Sequence, residues 1–119
     1  MLLSNAPRLT LDDVAAIEKA IAFTTEKYQE DVTADKLSLE FGIPAKKIQP
    51  GFKRKTGLTV YAYLQQLRLE HAKAFLKDTS LPIKIIARKT GFRTPSHFGE
   101  FFKKFTGLTP DQYRFGKEE

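Results

Sequence analysis

Apolar positions along the chain recur with the 3.6-residue period of an α-helix. After Thr10, a good N-cap residue, Leu11, Val14, Ile17, Ile21 and Tyr28 share a helical stripe, which predicts an amphipathic helix over residues 11–29 with an acidic first turn at Asp12 and Asp13. Thr33 caps a short helix carrying Leu37 and Phe41, and Gly42 ends it. Val60, Leu64, Leu67, Phe75 and Leu76 mark a long helix that starts after Thr59 and ends near Lys77. Leu81-Pro82 opens another short helix through Ile83, Ile86 and Ala87, stopped by Gly91. Thr94-Pro95 is an N-cap followed by proline at the first helical position, and it opens a helix whose apolar face is Phe98, Phe101, Phe102 and Phe105. Thr109-Pro110 repeats that start for a final short helix. No stretch alternates with period two long enough to form a strand. The fold class is therefore all-α, with about seven helices.

The same pattern contains an internal duplication. Offset by 50 residues, FKRKTGLTVYAY (52–63) aligns with FKKFTGLTPDQY (102–113), and seven of the twelve positions are identical. Upstream the match continues at an offset of 49, with Leu37 over Ile86, Gly42 over Gly91 and Ile43 over Phe92. One extra residue therefore lies in the second copy, between the glycine and the phenylalanine. Each copy is a short helix, a glycine turn, a second helix and a Thr-Gly-Leu-Thr exit. The organisation expected is a tail over 1–9, a first helical subdomain over 10–57, a joining helix over 58–78 and a second subdomain over 79–119.

Composition narrows the functional classes. A chain of 119 residues with 41% hydrophobic and 29% charged residues can bury a core, and it is too short for a two-lobed enzyme. The absence of cysteine removes disulfides, thiol nucleophiles and thiolate metal sites. No apolar run approaches the ~18 residues of a spanning helix, and no signal-peptide layout opens the chain, so no membrane partner is expected and a cytoplasmic location is. The two histidines, His71 and His97, have no clustered acids or cysteine beside them, so no metal, cofactor or catalytic role is expected. The net charge of +6 is uneven: residues 1–40 carry four bases and eight acids, whereas residues 41–119 carry sixteen bases and six acids. A polyanion would bind the duplicated part.

Short helix, glycine turn, second helix is the helix-turn-helix pattern. Ser38 and Ala87, each four residues before the turn glycine, are small enough for the two helices to approach, and glycine adopts positive φ without a Cβ clash. With the pattern present twice in a basic chain, the sequence resembles the DNA-binding domain of AraC/XylS-family bacterial transcription regulators. The residues carrying the resemblance are Gly57-Leu58-Thr59, Tyr63, Arg68-Leu69-Glu70, Ala72, Ile83, Ile86-Ala87, Gly91-Phe92, Ser96-His97-Phe98, Phe102-Lys103, Gly107-Leu108-Thr109-Pro110 and Tyr113-Arg114. The resemblance implies two helix-turn-helix units joined by a long helix, each offering a recognition helix to the major groove of double-stranded DNA. It further implies transcription regulation, as an activator that contacts RNA polymerase, location at the bacterial nucleoid, and, in many family members, an effector-binding and dimerisation domain outside this segment. A joining helix of about 18 residues would span ~27 Å, comparable to the ~34 Å between successive major grooves.

In the second recognition helix the phenylalanines take the core side, which leaves Ser96, His97, Glu100, Lys103 and Lys104 facing the groove, with Arg93 and Thr94 at the entrance. In the first, Ile48 and Phe52 face inward, so Lys46, Gln49 and Lys53 are expected to project outward with Lys47 and Arg54 flanking them. Arginine and lysine suit guanine edges and phosphates, and glutamine can pair with adenine. Pro50-Gly51 departs from the family pattern: either the first recognition helix is kinked there, or its regular part begins at Pro50. Glu100, where the family often has arginine, is either a cytosine reader or the partner of Lys103 or Lys104 in a salt bridge. For Arg68, beside Glu70, an intramolecular ion pair is favoured over DNA contact. The competing functional class is a helical protein-interaction or dimerisation domain with an incidental basic face.

Overall fold

The computed structural model describes residues 7–116. Seven helices and no strand occur among them: α1 (Leu11–Glu26), α2 (Ala34–Phe41), α3 (Ala45–Thr56), α4 (Val60–Asp78), α5 (Ile83–Lys89), α6 (Pro95–Thr106) and α7 (Pro110–Arg114). The chain divides into two units. Unit 1 comprises the residues up to Lys27 together with Val32–Gln65, and unit 2 comprises Tyr28–Asp31 together with the residues from Gln66 onward.

In unit 1, α1, α2 and α3 pack on one another. Thr10 starts α1 through a reciprocal cap: its hydroxyl accepts from Asp13 N at 3.0 Å, and the Asp13 carboxylate accepts from Thr10 N at 2.9 Å. Ile17, Ala20, Leu37, Ile48 and Phe52 are buried. The helix is shorter than its pattern predicts. Leu11 is 89% exposed because it lies six residues before Ile17, about 120° around the helix from the buried centre. Tyr28 lies beyond the helix end and belongs to unit 2, where it stacks on His71 with ring centroids 3.9 Å apart.

Helix α3 runs unbroken from Ala45, so Pro50 is not its first residue. The pair Pro50-Gly51 divides two tasks. Pro50 is half-exposed on the outer side, whereas Gly51 is buried where α1 crosses. A Cβ at Gly51 would lie 2.7 Å from Ile17 Cγ1, so only glycine lets the two helices come this close. The equivalent place in α6 holds Phe101, whose own ring fills the space.

Unit 2 is built on a core of Ala72, Leu76, Ile86, Ala87, Phe98 and Phe102, with Phe92 and Tyr113 packed against it. Arg68 is almost fully buried. It donates from Nε to Tyr28 O at 2.8 Å and from Nη2 to Glu30 O at 2.9 Å, and its guanidinium lies over the Phe92 ring. Glu70 is exposed and accepts from Gln66 Nε2 instead. Gly91, at φ +98°, leaves room for that guanidinium, since a Cβ there would meet Arg68 Cζ at 2.8 Å. Phe105 departs from the expected core: it rests on Phe101 but is 51% exposed, because the last turn of α6 runs past the packed layer.

The duplication recurs in matching contacts. Ile43 N donates to Ser38 O and Phe92 N to Ala87 O, so both glycine turns close through the same six-to-one bond. Thr56 donates to Phe52 O and Leu58 O, as Thr106 does to Phe102 O and Leu108 O. The Phe52–Tyr63 and Phe102–Tyr113 rings meet edge to face at 5.8 and 5.3 Å.

Candidate nucleic-acid interface

Helix α6 is the more completely prepared surface. Thr94 Oγ1 accepts from His97 N at 3.1 Å and Pro95 occupies the first turn, so the helix start is set by local chemistry. Phe98, Phe101 and Phe102 then fix the rotation of the helix by burying one face. Arg93, Thr94, Ser96, His97, Glu100, Lys103 and Lys104 are all exposed. The Thr94 hydroxyl serves as the cap. Among the described residues Glu100 makes no ion pair with Lys103 or Lys104, so the expected alternative of an intrahelical bridge is not realised.

Helix α3 presents a narrower surface. Lys46, Lys53 and Arg54 are exposed, while Gln49, expected to project outward, and Lys47, expected to flank it, turn toward neighbouring helices. Lys47 Nζ lies 2.6 Å from Asp13 Oδ2 on α1, and both side chains are largely covered. That hydrogen bond, together with the one from Thr10 N, holds the Asp13 carboxyl below its usual value of 3.8. Gln49 Oε1 accepts from Val60 N at 3.0 Å, so the glutamine satisfies an amide that the start of α4 leaves open. The repeat explains why only one unit needs it. At the positions of Gln49 and Val60, the second copy has Gly99 and Pro110, and proline has no N–H to satisfy. That covariation between copies was the available signal for Gln49. Nothing comparable marked Lys47, because its partner lies on a helix outside the duplication. Lys55 is likewise engaged, 2.8 Å from Glu18.

The face of α3 also borders a shallow depression of about 600 Å³, whose lining includes Pro7, Leu9, Gln49, Pro50, Lys53 and Arg54. No helix among the described residues is long and apolar enough to cross a membrane, and no group of three or more metal-ligating side chains occurs there.

A family model for a helix-turn-helix domain matches residues 37–115, spanning both copies of the duplicated motif. The chain belongs to the AraC/XylS family. The transcriptional activator RhaR of Escherichia coli strain K12 is 28% identical over 120 residues, covering 96% of this chain and 43% of its own. Among solved structures, the C-terminal domain of AraT, a response regulator from Geobacillus stearothermophilus, is similar with a TM-score of 0.80 and 26% identity, over 92% of this chain and 88% of that one. The DNA-binding domain of AdpA in complex with a target DNA shares the fold with a TM-score of 0.77 at 21% identity, over 85% and 91% of the two chains. The chain spans less than half the length of the curated relatives it matches. The domain is of the kind found in DNA-binding transcription regulators. Family and fold are those of DNA-binding regulators rather than enzymes.

Proposed function

We propose that α3 and α6 are the two recognition helices of a sequence-specific regulator, each entering a major groove. The observation that carries this reading is the two-sidedness of α6: three phenylalanines are buried on one face, and an arginine, a histidine, a glutamate and two lysines stand exposed beside or on the other. Arg93, Ser96 and His97, at the N-terminal end, are the base readers, since that end of a recognition helix enters the groove. Glu100, free of an internal partner, accepts from cytosine N4. Lys103 and Lys104 bind phosphate. In unit 1, Lys46 reaches base edges and Lys53 and Arg54 bind phosphate, while Lys47 and Gln49 hold the helix in place. Activation is the reading favoured by the relationship to the transcriptional activator RhaR; contact with RNA polymerase and a place at the nucleoid in the cytoplasm belong to the same proposal. An effector-binding or dimerisation domain would be contributed by a segment other than this one.

Sites selected from a random duplex pool should contain two conserved clusters about 10 base pairs apart. Arg93→Ala and His97→Ala should alter the selected sequence of one cluster, whereas Lys53→Ala should weaken all duplexes alike. Absence of a gel shift on any duplex at low salt would overturn the reading.

A further inference from the structure

The side chain at the centre of the outer face of α3 can form no hydrogen bond. Pro50 stands where α6 has the exposed Glu100, yet its ring carries neither donor nor acceptor, and it lines the depression together with Pro7 and Leu9. Gln49, beside it, has its carbonyl oxygen engaged by Val60 N. Base edges in the major groove offer hydrogen-bonding atoms at every base pair, and a single apolar group, the C5 methyl of thymine. An apolar hollow rimmed by Lys53 and Arg54 therefore suits a methyl group carried on a polyanion: the cations meet the phosphates, and the hollow meets the methyl. Resting on the DNA-binding reading above, we infer that unit 1 reads a thymine through its methyl group, held between Pro50 and Leu9. The two units then use different chemistry at equivalent positions, an apolar contact in unit 1 and a carboxylate in unit 2.

The test replaces the thymines of a selected duplex with deoxyuridine one at a time, which removes the methyl and keeps every hydrogen-bonding atom. Affinities are measured by fluorescence anisotropy for the unaltered chain, for Pro50→Ser, which restores the helix N–H, and for Leu9→Ser, which lies outside the helices. One thymine in the cluster read by unit 1 should lose about fourfold in affinity without its methyl, and both variants should abolish that loss. Uniform tolerance of uracil, or a methyl effect undiminished in Pro50→Ser and Leu9→Ser, would overturn the inference while leaving DNA binding intact. Failure of the unaltered chain to bind any duplex would overturn the DNA-binding reading with it.

Discussion

The ionic-strength dependence of DNA binding follows from which cations the fold leaves available. On or beside α3 and α6, Lys46, Lys53, Arg54, Arg93, Lys103 and Lys104 are exposed and pair with no acid among the described residues, whereas Lys47 and Lys55 are neutralised by Asp13 and Glu18. Four of the available cations, Lys53, Arg54, Lys103 and Lys104, are the phosphate contacts of the reading above. Each phosphate neutralised on duplex DNA contributes about −0.9 to the slope of log K against log salt, so four contacts give roughly −3.6. Between 50 and 200 mM salt, affinity should then fall by about two orders of magnitude. If only one unit engaged the duplex, its two phosphate contacts would give a slope near about −1.8, about half as steep. Anisotropy titrations of a labelled duplex across that salt range measure the slope directly. Lys53→Ala should flatten it by about 0.9, and Lys55→Ala should leave it unchanged. A slope near zero would refute electrostatic docking. Equal flattening by Lys53→Ala and Lys55→Ala would refute the division between available and internally neutralised cations.

Four further outcomes test the packing that positions the two helices. Asp13 has its folded pKa below 3.8, so its ion pair with Lys47 stabilises unit 1 fully at neutral pH and is lost as pH falls through the folded value. The stability deficit of Asp13→Asn in urea unfolding should accordingly be present at pH 7 and vanish in acid, and a pH-independent deficit would contradict it. Gln49→Ala should cost about 1 kcal/mol, the worth of one hydrogen bond to the start of α4, without changing the sequence selected from a random pool. Arg68→Met removes, among its contacts, the charge-assisted bonds to Tyr28 O and Glu30 O, and should cost roughly 3 kcal/mol or more in thermal or urea unfolding. Gly91→Ala should also destabilise unit 2, and by less in the Arg68→Met background, because the guanidinium that its Cβ would strike is then absent.

Much of the architecture was legible because the signals that encode it are local. Thr10, Thr33, Thr94 and Thr109 each bond an amide three residues ahead, and Gly42, Gly57 and Gly107 end helices at positive φ, contacts that span a handful of residues. The duplication added long-range information, since two copies of one motif must bury corresponding faces. The face of α6 was readable for the same reason: three phenylalanines at helical spacing leave little freedom in how the helix is turned. The face of α3 was less so. Its inner side includes a glycine whose importance comes from Ile17, and two of its polar residues take their directions from Asp13 and Val60 on other helices. Leu11 and Phe105 were misleading because periodicity identifies an apolar stripe without marking where neighbouring elements stop covering it.

By itself, then, the sequence determined the helices, their ends, the repeated helix-turn-helix pattern and the concentration of positive charge on the duplicated part. These depend on backbone chemistry and on burying an apolar stripe, both specified by residues close along the chain. Tertiary structure decided which polar side chains remain available to a ligand. Lysine and glutamine on α3 have the composition of DNA contacts, but a nearby carboxylate or an open amide competes for them, and only packing brings that competitor within 3 Å. It also placed Pro50 against an apolar wall contributed by residues some forty positions earlier, turning an anomaly in a helix into a candidate reader.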